Sequence, residues 1–447
     1  MSNAPAHLWK HQQAAFDFIL PLGKGMLALD MGTGKSATAI ALLEEWGCKQ
    51  VLIICPKSVI PVWPKQFLQF AKEQWAILPL NEGSLVKRSK QIKAASAERL
   101  TVVLNYDVLP YSAINKTILE KQWDCVIFDE SHKIKSAAGK TSRFCSRLSD
   151  RVPHRLALTG TPMPHSPLDI YAQFRAIDKS VFGKSNTTFK ARYAIMGGFQ
   201  NHQVVNFRDL DDLHQRMYTM TYRCRTQDVL DLPEFTDVER YCELDKDEAK
   251  LYKSLEKELC AEIAEGLITA DNALVKLIRL AQVTGGFCKT EDGQIVETGD
   301  TKAQLLAEVF DEFNQQEPVI VFARFHHDLD TIHTVAQAAG YTSSELSGRR
   351  NGLASWQSGD TDILAVQLQS GGVGIDLTRA RYCIYFSHEF SLGNYEQSRA
   401  RVHRPGQTRP VTYIHLIASK TIDEQIQKAL AAKEAVVRYV VDTLRSS

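Results

Sequence analysis

Two short stretches carry residues whose types and spacing suit chemistry on a phosphate. The first, Leu29-Asp30-Met31-Gly32-Thr33-Gly34-Lys35-Ser36, follows an apolar run from Met26 and precedes a helical pattern from Ala37 to Glu45. Strand, glycine turn, lysine, hydroxyl and helix, in that order, make a phosphate cradle. Gly32 and Gly34 let the N–H groups of the Met31–Gly34 turn face an anion, and the helix presents its positive N-terminal end. Lys35 would reach the terminal phosphates and the Ser36 hydroxyl would ligate Mg2+. Leu29 stands where the full pattern asks for glycine, so a plain glycine turn in an α/β domain competes with this reading. The second stretch is Asp129-Glu130, closing the apolar run Cys125 to Phe128. An aspartate at a strand tip can hold Mg2+ through water, and an adjacent glutamate can orient and deprotonate an attacking water. In isolation such a pair can equally cap the next helix. Following a phosphate cradle in one sheet, it points to nucleotide hydrolysis. Gln12, upstream, has a two-faced amide that could read an adenine edge, although a lone glutamine is more often a solvated polar residue.

Strands must position these groups, and the apolar runs supply them. Val51 to Cys55, Leu100 to Leu104, Cys125 to Phe128 and Arg155 to Leu158 are continuous buried-strand patterns, each closing on polar residues and alternating with helical segments. That rhythm spells a parallel sheet with ligands at the carboxyl ends of its strands. From about 178 to 290 the strand rhythm lapses into helical, charged sequence, clearest at 245–265 and 272–283. It restarts with Pro318 to Phe322, Ile363 to Val366, Cys383 to Phe386 and Thr412 to Ile417, followed by a packing helix from Ile422 to Leu444. The expected fold is α/β, with two tandem parallel-sheet lobes and helical insertions between them, divided into 1–235 and 236–447 near Leu232-Pro233-Glu234.

Composition narrows the class. The 447 residues are 44% hydrophobic and 23% charged with a net charge of +1, a globular balance that neither demands nor excludes a nucleic-acid partner. Nine scattered cysteines without a CxxC pair predict reduced thiols and no structural zinc. The amino-terminal residues do not read as a signal peptide and no run is long enough to span a bilayer, so the expected setting is cytoplasmic.

The motifs resemble those of superfamily two helicases, and their wording resembles the Swi/Snf-type DNA translocases over nearly the whole chain. The resemblance rests on 30–36, on Ile54-Cys55-Pro56-Lys57-Ser58-Val59 with Trp63, on Asp129-Glu130-Ser131-His132, and on Leu158-Thr159-Gly160-Thr161-Pro162-Met163. In the second half it rests on Gly371-Gly372-Val373-Gly374-Ile375-Asp376 and, most specifically, on Gln397-Ser398-Arg399-Ala400-Arg401-Val402-His403-Arg404-Pro405-Gly406-Gln407. The family usually has alanine at Ser131.

The resemblance implies RecA-like lobes and an ATPase using ATP and Mg2+. Gln12 then reads adenine, Met31 to Ser36 with Gly374 and Asp376 bind ATP, and Asp129 and Ser36 hold the metal. Lys35, Asp129, Glu130 and Gln397 join Arg401 and Arg404 in catalysis, Arg404 acting as arginine finger. His132, Thr159 and Thr161 couple nucleotide state to grip, His132 by a bond to Gln397. One DNA strand of a duplex would run over Lys57, Ser58, Asn105, Tyr106, Lys133, Lys135 and Lys140, and over Arg324, Ser347, Gly348, Ser370 and Gly371. Lys87, Arg88, Lys90 and Lys93, like Arg399, read as solvated charge. The implied function is ATP-dependent translocation on double-stranded DNA, for remodelling, annealing or protein displacement, by a monomer in a bacterial or viral-host cytosol. The alternative is a strand-separating DNA or RNA helicase with the same ATPase site.

Overall fold

The structure, a computed structural model, describes residues 8–30, 32–164, 166–197, 203–225, 232–264, 270–290, 292–313, 317–369 and 375–432. Within it the chain separates into two compact units, Met1–Asp231 and Leu232–Ser447.

The first unit is built on seven parallel strands: β1 (Lys24–Leu29), β2 (Gln50–Cys55), β3 (Ala76–Pro79), β4 (Leu100–Asn105), β5 (Cys125–Asp129), β6 (His154–Leu158) and β9 (Thr221–Cys224). They form one sheet in the order β3-β4-β2-β5-β6-β1-β9. The runs of β2, β4 and β5 are buried along almost their whole length, as strands covered on both faces must be. Each large aliphatic side chain removed from water there stabilises the unit by about 1.5–3 kcal/mol. The order matters for the site: β6 lies between β1 and β5, so the tips of all three are neighbours at one edge.

The second unit carries six parallel strands: β10 (Phe235–Cys242), β13 (Val319–Ala323), β14 (Ser343–Leu346), β15 (Ile363–Gln367), β16 (Tyr382–Tyr385) and β17 (Val411–Ala418). Their order in the sheet is β10-β17-β16-β13-β15-β14. Two antiparallel hairpins, β7 (Ala194–Gly197) with β8 (Gln203–Phe207) and β11 (Phe287–Lys289) with β12 (Ile295–Glu297), stand apart from the sheets. The tandem α/β architecture is as expected.

The stretch 178–290 is a correction. It holds the helices Asn186–Tyr193, Leu210–Tyr218, Lys246–Ala264 and Ala270–Thr284, but also both strands of a hairpin, and β9, which extends the first sheet beside β1. β10 opens the second sheet by pairing with β17, so a strand lies across the expected 235/236 boundary. At the carboxyl end, the helix Ile422–Ala431 buries Ile422, Ile426 and Leu430 as its spacing requires; its expected continuation to Leu444 lies mostly outside the described residues.

Candidate active site

The phosphate loop forms where β1 runs out of core. Leu29 is still strand and fully buried, so the place of the missing glycine is taken by a core side chain, and the turn begins after it. Gly32 and Gly34 do the turning, both in the left-handed region at φ 80° and 87°, where a Cβ costs about 1–2 kcal/mol. Thr33 closes the turn by donating its hydroxyl to the Asp30 carbonyl at 2.6 Å. The helix Lys35–Glu45 starts directly from Gly34. Lys35 Nζ donates to the carbonyls of Leu29 and Asp30 at 2.8 and 3.2 Å, and its charge favours the ionised forms of Asp129 and Glu130. Met31 lies outside the described residues.

Gln12 belongs to this loop. Its buried amide donates to the Thr33 carbonyl at 3.1 Å and accepts from the Trp9 backbone N–H at 3.0 Å, while His11 Nε2 lies 2.8 Å from the same carbonyl. A Cβ at Gly34 would fall directly on Gln12 Nε2. Gly34→Ala is therefore expected to displace Gln12 as well as strain the turn, weakening nucleotide binding at least ten-fold in an equilibrium titration and lowering the melting temperature by a few degrees.

The acidic pair is tightly held. Asp129 accepts from Trp63 Nε1 at 3.1 Å and from the Glu130 N–H at 3.0 Å, and its backbone carbonyl accepts the Tyr106 hydroxyl at 2.8 Å. Burial pushes the Asp129 carboxyl up to about 7, with the Glu130 charge adding to the rise. Glu130 is 3% exposed and has φ 51°, ψ 54°, left-handed geometry that is uncommon for a residue with a side chain. Burial alone would raise its carboxyl too, but the His132 hydrogen bond and the charges of Lys35, His132 and Lys133 outweigh it and hold Glu130 below its usual range. It is thus kept ionised, as a proton acceptor must be.

His132 ties this pair to the neighbouring loop. Its Nδ1 lies 3.3 Å from Glu130 Oε2 and 3.4 Å from Thr159 Oγ1, and Thr159 in turn accepts from the Thr161 N–H at 3.1 Å. Lys35, Asp129, Glu130, His132, Thr159 and Thr161 are therefore brought together at the β1, β5 and β6 tips, with Gln12 on the phosphate loop beside them.

In the second unit the helix Leu392–Val402 carries Gln397, half-buried, and Arg401, which is 3% exposed. The turn after it is pinned on both sides of Arg404. His403 Nε2 pairs with the Pro233 carbonyl at 2.7 Å, and the buried Gln407 amide donates to the Ala380 and Thr378 carbonyls at 2.8 and 3.2 Å. Arg404 is half-buried, with Nη1 donating to the Ile375 carbonyl at 3.2 Å and Nε without a hydrogen-bond partner among the described residues. Asp376 accepts from the Thr378 N–H and hydroxyl at 2.9 and 2.7 Å. Gly374 lies outside the described residues.

Several surface expectations need correction. Tyr106 and Asn105 are buried, at 6% and 4% exposure; Tyr106 is committed to Asp129, and Asn105 bonds Asp107 and Arg88, so neither offers itself to a nucleic acid. Arg324 is paired with buried Glu389 and lies over Phe390, and its side chain is 9% exposed. Arg88 is no solvated charge: it donates to the carbonyls of Asn81, Glu82 and Gly83. Nor is Arg399, which pairs with Asp237 at 2.7 Å and lies 4.1 Å from the Tyr413 ring centroid. Lys57, Ser58, Lys133, Lys140 and Gly348 are exposed, and Lys135 is half-buried. Ser347 is half-buried and hydrogen-bonded to Glu345. Ser370 and Gly371 lie outside the described residues. Sequence reasoning gave no catalytic weight to Trp63 or Gln173, whose side chains reach the loops of the acidic pair; their only signal was position, next to a motif or one helix beyond it.

A phosphate loop set beside a clamped acidic pair in one parallel sheet, followed by a second such sheet with its own arginine-bearing turn, defines a helicase-like ATPase. The family described as SNF2-related domain matches residues 11–285, and Helicase conserved C-terminal domain matches 301–406. The chain belongs to the SNF2-related family, the Swi/Snf branch of the superfamily two helicase-like ATPases. It is similar to protein p41 of Acyrthosiphon pisum secondary endosymbiont phage 1, with 26% identity covering 97% of this chain and 98% of that protein. It is also 26% identical to the Caenorhabditis elegans homolog of SWI/SNF-related matrix-associated actin-dependent regulator of chromatin subfamily A-like protein 1, over 98% of this chain and 63% of the relative. Against several other cellular relatives the chain spans about half of their length or less. Among solved structures it is similar to the Sulfolobus solfataricus SWI2/SNF2 ATPase core in complex with dsDNA, at 23% identity and a TM-score of 0.46, covering 99% of this chain and 95% of that one.

Proposed function

We propose that this ATPase is a translocase that couples hydrolysis to movement along double-stranded DNA, in remodelling, annealing or displacement of bound proteins. The observation that carries the coupling is the hydrogen-bonded path Glu130–His132–Thr159–Thr161, which links the water-activating carboxylate to the neighbouring strand-tip loop. Exposed Lys57, Ser58 and Lys133 lie on the loops that follow β2 and β5, where cations and hydroxyls can hold phosphates without reading sequence. On binding ATP, Lys35 exchanges its two carbonyl partners for phosphate oxygens, Glu130 accepts the proton of the attacking water, and Arg404 stabilises the charge gathering on the γ-phosphate. The buried carboxylate of Asp129, raised by desolvation, fits a divalent cation, and with Ser36 it is the residue that would hold Mg2+. When bound, that ion neutralises phosphate charge. The protein acts as a monomer in the cytosol; no described helix is long and apolar enough to cross a membrane.

The test is steady-state ATP hydrolysis with no nucleic acid, single-stranded DNA, duplex DNA or structured RNA. Stimulation by duplex well above that by the other polymers supports the proposal, and a duplex-driven triplex displacement assay follows. Stimulation by single strands or RNA with duplex inert would replace it with the strand-separating helicase.

A further inference from the structure

Ser131 stands at the residue after the water-activating glutamate, and it is not idle. Its side chain is fully buried, at 0% exposure, and its hydroxyl donates to Gln173 Oε1 at 2.7 Å. Gln173, on the helix Ile170–Ile177, is also at 0% exposure and donates its Nε2 to the Pro162 carbonyl at 2.6 Å and to the Asp169 carbonyl at 3.0 Å. The two carbonyls fix the amide: turned over, it would set its oxygen against both. A serine, an amide and a backbone carbonyl thus bridge the loop after β5 to the loop after β6. This bridge is shorter at each step than the parallel one through His132, whose contacts are 3.3 and 3.4 Å. Packing alone does not call for it, since an apolar pair of similar shape would fill the same space without burying polar atoms.

We infer that Ser131 and Gln173 are positioning residues for hydrolysis. Glu130 sits in left-handed geometry, which persists only where its surroundings over-determine it. Upstream, Asp129 is fixed by Trp63 and Tyr106. Downstream, the fixed point is Ser131, through Gln173. With both ends held, the Glu130 carboxylate keeps its place, and the Thr159–Pro162 turn is bound to follow any movement of the acidic loop. The inference rests on the proposed roles of Glu130 and Thr159.

Ser131→Ala and Gln173→Leu should each lower kcat about 10- to 100-fold, as misplacement of a catalytic group by up to about 1 Å does, with the KM for ATP within about two-fold. The double variant should fall no lower than the lower single variant, because both break one bridge. Backbone amides of Thr159, Gly160 and Thr161 should exchange with deuterium faster in both singles. Ser89→Ala, which removes the 2.6 Å contact with Thr117 between two helices of the same unit, is the comparison: it should lower the melting temperature and leave kcat and those amides unchanged. If Ser131→Ala and Gln173→Leu behave like Ser89→Ala, the bridge is merely structural and the inference is overturned. Glu130→Gln, assayed alongside, separates the two failures. Wild-type turnover in that variant removes the assigned base, while the amide exchange continues to support or overturn the bridge by itself.

Discussion

Glu130→Gln is expected to abolish steady-state ATP hydrolysis, by about 10²-fold or more, while leaving ATP binding at wild-type strength or tighter. The amide is nearly isosteric, so the left-handed backbone, the Glu130 N–H to Asp129 bond and the Lys133 N–H to Glu130 carbonyl bond at 2.9 Å have no reason to change. An amide oxygen can still accept from His132. What is lost is the capacity to take a proton from water at neutral pH. Removing the Glu130 charge also removes one of the two causes that raise Asp129, so the Asp129 carboxyl becomes easier to ionise and stays available to a cation. Binding and turnover should therefore separate. Titration with a fluorescent ATP analogue reads the first and single-turnover hydrolysis reads the second. Full turnover in the variant would falsify the assignment of Glu130 as base.

The phosphate loop and the acidic pair sit at the tips of strands, and most of those strands are legible in the sequence. Every continuous apolar run is a strand: β1, β2, β4, β5 and β6 in the first unit and β13, β15, β16 and β17 in the second. Such runs are buried on both faces, and burial is what hydrophobic sequence reports. The strands without such a run are mostly edges or hairpins. β3 and β14 end their sheets, β9 and β10 close the opposite edges, and β7, β8, β11 and β12 form the hairpins. The eight residues of β10, Phe-Thr-Asp-Val-Glu-Arg-Tyr-Cys, are exposed or half-buried throughout, so their composition resembles that of a loop.

The site is legible where chemistry dictates residue type, and opaque where it is a matter of which way a side chain faces. A lysine after a glycine turn, or an acidic pair at a strand tip, can be read from spacing. Nothing in spacing distinguishes an arginine that meets solvent from one that meets a carboxylate of its own fold. Arg324, Arg399 and Arg88 all escape a reading of that kind: Arg324 finds Glu389, Arg399 finds Asp237 and a ring of aromatics, and Arg88 finds three loop carbonyls. In each case the partner is remote in sequence or is a backbone atom. Tyr106 shows the same limit, because its hydroxyl faces the Asp129 carbonyl rather than outward.

Arg404 is the arginine for which the distinction matters most, and Arg404→Ala should cut DNA-stimulated turnover by about 10³-fold or more, the scale on which arginine fingers act. The turn that presents it does not depend on its side chain. Gln407 holds the turn to the Thr378, Ala380 and Val402 carbonyls, and His403 holds it to Pro233, so the backbone should survive truncation. The only hydrogen bond Arg404 donates among the described residues is to Ile375, next to Asp376, and its buried Nε has no hydrogen-bond partner among them. Arg404→Lys should recover little, because an ammonium cannot reproduce the planar fork that spans two phosphate oxygens. DNA affinity should stay within a few-fold of wild type, since the proposed backbone contacts lie on other loops. Measuring turnover at saturating duplex beside duplex affinity decides the matter: loss of affinity with unchanged turnover per bound complex would move Arg404 from the phosphate to the track, whereas loss of turnover at full occupancy, unrescued by lysine, places its guanidinium on the transferring phosphoryl group.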